Sequence, residues 1–339
     1  MIAQQDIARQ TTKVARGPTI IVGLGRTGLS CARFLASRDE DFIVADSREA
    51  PPAREELLQE QPNTELHLGA FDPDVFAGAG QLVVSPGVSL DEPAVAAARR
   101  AGVPVLGDIE LFARAVCAPV VVITGSNGKS TVTTLLAQMG LEAGLDIGVG
   151  GNIGTPALEL IGDSEPDLYV LELSSFQLET TESLHAAAAA VLNVSDDHLD
   201  RHGNIEAYAA IKQRVFRSGA HGNGVMVINR DDPLVAAMAD PKRRVISFGE
   251  AEGADFHLTE RDGSVRLARL GEALMAVSEL RIAGRHNWLN ALATLALGEA
   301  IDLPMGAMLT ALKNFPGLPH RCQQVAVKGG VRFFNDSKG

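Results

Sequence analysis

The chain has 339 residues, 46% of them hydrophobic and 21% charged, with 42 acidic against 30 basic side chains and a net charge of −12. That length supports two or three domains with cores of their own, and the acidic balance argues against nucleic acid or an anionic membrane as the main partner. Cys31, Cys117 and Cys322 form no CxxC pair and no apolar run reaches spanning length, so a reduced, cytoplasmic protein without a disulfide framework, zinc site or membrane span is predicted.

Residues 1–17 are polar and lack an apolar core, which reads as a flexible tail rather than a signal peptide. From Pro18 the sequence turns strand-like, TIIVGLG, and passes through Gly23-x-Gly25-x-x-Gly28 into a helix from Leu29 to about Ser37. A second strand, Phe42 to Ala45, ends in Asp46, 18 residues past Gly28. This is close to a dinucleotide fingerprint, in which glycines admit a pyrophosphate and an acid holds a ribose, and it keeps an NAD-dependent oxidoreductase open as a rival. A strand at 81–84 runs into Ser85-Pro86-Gly87, then a helix at 93–101 and a strand at 103–106 follow. The alternation predicts a parallel α/β sheet, and a first domain of residues 18–107.

The most specific stretch is PVVVITGSNGKST, residues 119–131. A short β-branched strand, a loop of Gly125, Ser126, Asn127 and Gly128, and a helix opened by Lys129, Ser130 and Thr131 have the order of a phosphate cradle. In it backbone N–H groups face the oxyanions, Lys129 supplies charge and Ser130 can ligate Mg²⁺. The generic loop has a further glycine five residues before Gly128, where this chain has Ile123, so the loop is a variant starting at Gly125.

Residues 108–316 are predicted as a central α/β domain of the P-loop type. Gly148–Gly154 is read as a flexible loop. Glu172 ends a strand at 167–173, where it is either a Mg²⁺-binding acid at the carboxyl edge of the sheet or a helix cap. The alanine run 186–190 favours helix by propensity, yet it leads directly into VLNV and a polar turn, so 186–193 is predicted as strand. His198 lies among Asp196, Asp197 and Asp200 and is either a metal ligand or a solvated loop residue. Lys212, on a helix expected over 205–216, carries no signal of its own. Residues 250–283 read as short antiparallel strands. Asn287 and Asn290 share a face of a helix at 285–300, where they suit either a nucleotide or the surface. Arg321, Asp336 and Lys338 reach for a nucleotide or belong to a charged turn. Residues 317–339 read as the start of a third domain.

In combination, GLGRTGLS (23–30), SPG (85–87), TGSNGKST (124–131), GGNIGTP (150–156), LELSSFQLE (171–179), NVSDDHLDRHG (193–203), GRHNWLNALA (284–293), GLPHRC (317–322) and NDSK (335–338) resemble the Mur ligase family, in its order and over nearly the whole chain. The resemblance implies an ATP-dependent, ADP-forming amide ligase of bacterial peptidoglycan precursor synthesis, with LELSSFQLE pointing to the branch that adds D-glutamate to UDP-N-acetylmuramoyl-L-alanine through an acyl phosphate. It implies a first, Rossmann-like domain that holds UDP rather than NAD, with Thr27, Asp46, Arg48 and Ser85 on the uridine diphosphate. Asn152, Gln177 and His198 would line the substrate's path, with Lys338 beyond them. Gly125 to Thr131, Asn287, Asn290, Arg321 and Asp336 would hold ATP. Two Mg²⁺ ions would take Ser130 and Glu172, and His198 with a carbamylated Lys212; Lys129, Glu172, His198 and Lys212 would be the catalytic set. It further implies a monomer acting on small molecules, and a complete third, Rossmann-like domain of which this chain would hold only the first strands and little or no turnover would remain. A sibling ligase, a folylpolyglutamate synthetase and a non-catalytic UDP-sugar- or nucleotide-binding module are the alternatives.

Overall fold

Strands buried on both faces need near-continuous apolar sequence, and the segments TIIV and VVVIT supply it at the centres of two separate sheets. The computed structural model describes residues 17–217, 224–319, 323–329 and 331–335. The chain divides into two compact units between Leu111 and Phe112, inside a helix that starts at Asp108. The tail expected over 1–17 lies, apart from Gly17, outside the described residues.

The first unit alternates β1 (Thr19–Val22), α1 (Arg26–Ala36), β2 (Phe42–Asp46), α2 (Arg54–Glu60), β3 (Leu66–Leu68), α3 (Pro73–Ala77), β4 (Gln81–Val84), α4 (Pro93–Arg100), β5 (Val105–Leu106) and α5 (Asp108–Ala115), the last crossing into the second unit. Its sheet is parallel throughout in the order β3-β2-β1-β4-β5. The strand order reverses beside β1, which opens a crevice at the carboxyl ends where open α/β sheets take ligands. Helix α1 starts at Arg26, three residues before the predicted Leu29. It lies so close to β1 that a Cβ on Gly28 would sit 2.0 Å from the Gly23 carbonyl oxygen, whereas one on Gly25 would meet nothing within 4 Å.

The second unit is built on β6 (Val120–Thr124), α6 (Lys129–Glu142), β7 (Ile147–Gly151), β8 (Leu168–Glu172), α7 (Ser175–Glu179), β9 (Ala188–Val191), α8 (Leu199–His202), α9 (Ile205–Gln213), β10 (Val225–Asn229), α10 (Pro233–Ala236), β11 (Val245–Phe248), β12 (Phe256–Arg261), β13 (Ser264–Arg269), β14 (Glu272–Ala276), α11 (Arg285–Ala300) and α12 (Met305–Asn314). Among the described residues its sheet runs β14-β13-β12-β11-β10-β9-β6-β8-β7, parallel from β7 to β12 and antiparallel beyond. A hairpin, β15 (Gln323–Lys328) and β16 (Val331–Asn335), follows as a sheet of its own. No described helix is long and apolar enough to cross a membrane.

The alanine run is a strand because β9 is inserted between β6 and β10 with all four residues buried; pairing on both sides outweighs helix propensity. Helix α11 packs against α6, α12 and that part of the sheet, and every residue from Ala291 to Gly298 is buried, as a helix enclosed on most faces requires. Residues 148–154 correct the sequence reading. They begin as edge strand β7, paired with β8 from Ile147 to Gly151, not as a loop. The glycines that imply a loop are needed for close packing: a Cβ on Gly148 would lie 2.7 Å from the Tyr169 ring, and one on Gly150 2.2 Å from the Thr155 carbonyl oxygen. Helix α9 is also shorter than predicted, ending at Gln213 and tightening into a 3₁₀ turn over Arg214–Phe216.

The two glycines of the first loop make opposite predictions. Gly28→Ala forces backbone against side chain and should cost about 1–3 kcal/mol, whereas Gly25→Ala, with open space and φ of −101°, should leave stability within about 0.5 kcal/mol. Urea unfolding of both variants checks the pair; equal effects would contradict the packing.

Candidate functional site

In the first unit the loop after β1 is held from both sides. Ser85 Oγ donates to the Gly23 carbonyl at 2.9 Å, and the Leu24 N–H donates to Asp46 Oδ2 at 2.6 Å. Asp46, buried at the end of β2, also accepts from the Arg48 N–H (2.9 Å), Arg48 Nε (2.8 Å) and Arg48 Nη2 (2.6 Å). Burial pushes the carboxyl up, but hydrogen bonds from the Arg48 guanidinium and the Leu24 and Arg48 N–H groups prevail and hold it at about 2. An acid with four donors on its two oxygens has little acceptor capacity left for ribose hydroxyls. Asp46 therefore does not stand as the free ribose-binding acid of a dinucleotide site; it shapes the loop and orients Arg48, whose side chain is half exposed. Thr27, in the first turn of α1, is partly covered.

The second unit holds the phosphate cradle. Gly125 and Gly128 both have positive φ, +153° and +84°, and a Cβ on Gly128 would meet Asn290 Oδ1 at 2.4 Å. Asn127 offers its N–H to Asn193 Oδ1 (2.8 Å) and accepts from Asn193 Nδ2 at its carbonyl (3.1 Å), while the Ser126 N–H donates to the Asn193 carbonyl (3.0 Å). The Ser195 N–H donates to Ser126 Oγ at 3.0 Å, and Thr124 Oγ1 donates to the Leu173 carbonyl at 2.8 Å. The loop is thus templated by the segments that follow β8 and β9. Asn193 escapes a reading by motif chemistry, since an asparagine leaving a strand announces no role; only its place beside β6 gives it one. Ser130 is buried in the first turn of α6, and Thr131 is partly buried beside it.

Lys129 Nζ donates to the carbonyls of Gly125 and Ser126, at 2.9 Å each. Lys212 Nζ also donates to the Gly125 carbonyl at 2.9 Å, from α9 and almost completely buried. Burial first, and the charge of Lys129 second, bring the Lys212 amine down to about 7. Lys212 is therefore not a solvated surface lysine. Tyr208 packs its ring 4.2 Å from Lys212 Nζ.

Glu172 is the buried last residue of β8, in register with Ile123 on β6 and Gly151 on β7. Its Oε1 accepts from Asn152 Nδ2 at 2.8 Å, and its buried Oε2 has no hydrogen-bond partner. An unpartnered buried carboxylate oxygen beside a phosphate cradle suits Mg²⁺, which binds through one or two carboxylates and takes its other oxygens from water and phosphate. Among the described residues no group of three or more His, Cys, Asp or Glu is placed to hold a metal ion. Asn152 holds this carboxylate, and Gln177, also buried, closes a capping box with Ser174 at the start of α7.

His198 caps α8 in the left-handed conformation, φ +52°, and is 46% exposed with Nε2 3.5 Å from Asp197 Oδ2. Such a conformation costs a non-glycine residue roughly 1–2 kcal/mol. Asn287 Nδ2 donates to the Ala283 carbonyl (2.7 Å) and Asn290 Nδ2 to Asn287 Oδ1 (3.1 Å), so the pair forms one unit at the head of α11, in contact with the cradle through Asn290. Arg321, Asp336 and Lys338 lie outside the described residues.

Comparison with known proteins finds a family model for each of the two units. The Mur ligase middle domain matches residues 123–298, and the Mur ligase MurD-like N-terminal domain matches residues 17–107. A UDP-N-acetylmuramoylalanine–D-glutamate ligase from Nitrosococcus oceani is 55% identical over 323 residues, covering 95% of this chain and 70% of the relative. One from Marinobacter nauticus is 50% identical, covering 95% of this chain and 71% of the relative. Among solved structures, the UDP-N-acetylmuramate:L-alanyl-gamma-D-glutamyl-meso-diaminopimelate ligase from Neisseria meningitides superposes with a TM-score of 0.63 at 20% identity, over 90% of this chain and 99% of that one. The UDP-N-acetylmuramate-alanine ligase from Thermotoga maritima gives 0.58 at 20% identity, over 94% and 74%. At that identity the likeness is one of fold.

The Lys212 amine should titrate near pH 7 when followed by NMR of the side-chain nitrogen. Lys129→Met, which removes the neighbouring charge, should raise that midpoint without restoring the ordinary value, because burial remains. The penalty for protonating Lys212 in the fold is complete below pH 7 and is relieved as pH rises toward the unfolded value of 10.5. A midpoint near the ordinary lysine range in both proteins would contradict the placement.

Proposed function

The chain belongs to the Mur ligase family and spans about 70% of the length of the curated relatives it matches, and from that premise we propose that it carries the UDP-sugar and ATP sites of a ligase that joins D-glutamate to UDP-N-acetylmuramoyl-L-alanine at the expense of ATP, in bacterial peptidoglycan precursor synthesis. The observation that carries the chemistry is the convergence of Lys129 and Lys212 on the Gly125 carbonyl, where the strand bearing Glu172 ends beside the cradle. Two anions, a carboxylate and a triphosphate, must approach one another before the amide can form. Positive charge fixed where they meet lowers the cost of that approach.

The substrate's L-alanyl carboxylate oxygen attacks the γ-phosphorus of ATP, the bond to the bridging oxygen breaks, and ADP leaves an acyl phosphate. The amine of D-glutamate then adds to the activated carbonyl and loses a proton, and the tetrahedral adduct expels inorganic phosphate. Backbone N–H groups of the loop and of the first turn of α6 bind the phosphates. Lys129 exchanges its two carbonyl contacts for phosphate oxygens, and Asn287 and Asn290 hold the nucleotide's far end together with Arg321 and Asp336. Glu172 and Ser130 would hold one Mg²⁺, with Asn152 fixing the carboxylate through Oε1 so that Oε2 stays available. His198 and a carbamylated Lys212 would hold a second. Mg²⁺ supplies neutralisation of the charge that develops on the transferring phosphoryl group.

The lysine's environment supports its carbamylation. Only the neutral amine adds to CO₂, and an amine near pH 7 is neutral in a large fraction of molecules at physiological pH, whereas an ordinary lysine is almost wholly protonated. In the first unit, Arg48 and Thr27 contact the uridine diphosphate while Asp46 and Ser85 keep the loop in shape. Gln177, His198 and Lys338 are assigned to recognition of the muramoyl moiety. The protein acts as a cytoplasmic monomer on small molecules alone.

Calorimetric titration separates this reading from its rivals. UDP-N-acetylmuramoyl-L-alanine should bind saturably and more tightly than the UDP-sugar without alanine or the product carrying D-glutamate, while NADH and folates should not bind. Arg48→Ala should weaken the UDP-sugar by about 10- to 100-fold, the worth of a hydrogen bond to a charged group. NADH binding in competition with the UDP-sugar, or a preference for a folate, would overturn it.

A further inference from the structure

His198 belongs to a turn with no apolar anchor of its own. It stands in the left-handed conformation at one end of α8, Gly203 stands at φ +82° at the other, and none of the helix's four residues is buried as a whole. The connections that hold the turn run to α7 and, through Tyr208, to α9, and they are polar or aromatic. Arg201 Nη2 donates to Glu179 Oε2 at 2.7 Å, and His202 Nδ1 lies 3.4 Å from Glu179 Oε1, so one carboxylate takes both side chains. His202 Nε2 lies 3.0 Å from Ser175 Oγ. On the α7 side, His198 packs on the Phe176 ring at 4.8 Å between centroids, His202 stacks on it at 5.5 Å, and the Arg201 guanidinium lies 5.1 Å from its centre. On the α9 side, the Tyr208 ring lies 5.1 Å from that of His202 and 6.4 Å from that of His198.

These contacts differ from a surface ion pair. The side chains of Glu179 and Arg201 are 13% and 16% exposed and that of His202 only 3%, so removing the carboxylate would take the charged partner from a largely covered guanidinium. Helix α7 is itself fixed, since Ser174 and Gln177 close a capping box two residues after Glu172. A rigid path therefore runs from the strand end bearing Glu172, through α7 and Glu179, to the turn that carries His198.

We propose that Glu179 is a positioning residue for His198, holding α8 on α7 so that the imidazole stays against Phe176 in its strained turn. The ligand role of His198 rests on the function proposed above, but the placement itself does not, and the two can be read separately. With ¹³C-labelled histidine, the His198 Cε1–H resonance, assigned with His198→Gln, should show the ring-current shift of a proton near an aromatic face. Glu179→Ala should lose that shift, and Glu179→Gln, which keeps an acceptor for Arg201, should retain most of it. If Glu179→Ala fails to fold, Arg201→Met removes the same link from the outer side and should show the same loss. Mn²⁺ affinity, measured by electron paramagnetic resonance, should fall roughly tenfold or more in whichever variant loses the shift, as when outer partners of a metal ligand are removed. A His198 resonance unmoved in folded Glu179→Ala or Arg201→Met overturns the positioning role. A resonance that moves while Mn²⁺ affinity holds supports it, and removes His198 from the metal site instead.

Discussion

One backbone oxygen organises the second unit. The Gly125 carbonyl accepts from Lys129 and Lys212 together, and two ammonium groups cannot share one buried acceptor without repelling each other. Lys129 is partly open at the head of α6. Lys212, enclosed by Tyr208 and the loop, is driven toward the neutral amine by burial and by its neighbour's charge. Two lysines with one acceptor thus become chemically distinct, as the proposed function requires of them. A carbamate on Lys212 would be an anion with two oxygens, which would reverse the local charge and suit a divalent cation better than an ammonium.

That division of labour depends on a loop that does not relax. The cradle lacks the first glycine of the generic pattern and has Ile123 there, paired with Glu172 inside the sheet. Its conformation is imposed by neighbours instead, with Asn193 bracketing Asn127, Ser195 hydrogen-bonded to Ser126, and Asn290 against Gly128. The loop of the first unit is built on the same principle, with Asp46 taking the Leu24 N–H and Ser85 the Gly23 carbonyl. In both, residues that look like ligands by type spend part of their hydrogen bonding on the backbone that must meet the ligand.

What the sequence disclosed and what it concealed divide along physical lines. The cradle, the position of Glu172 at a strand end and the strand assignment of the alanine run could be read directly, because each depends on local pattern or on what flanks it. The glycines at 148–151 misled, since the same residue serves flexibility and close approach, and only the Tyr169 ring and the Thr155 carbonyl distinguish the two. Asp46 reads in sequence as an acid for a ribose, because Leu24 meets it only once β1 and β2 are paired and nothing in the local pattern shows that Arg48, two residues on, turns back onto it. Lys212 was silent as a residue and meaningful through resemblance; its chemistry arises from burial, to which a charged helix gives no clue. The tie between Glu179 and the α8 turn joins residues more than twenty positions apart, with no motif linking them.

The most direct test is ¹³C NMR of the protein equilibrated with ¹³C-bicarbonate, compared with Lys212→Arg, which keeps the positive charge but cannot form a carbamate. A carbamate resonance that is absent from the variant, and grows as pH rises through about 7, is the result expected if a shared acceptor and burial hold Lys212 neutral. No resonance in the wild type, or one of equal intensity in Lys212→Arg, would contradict it.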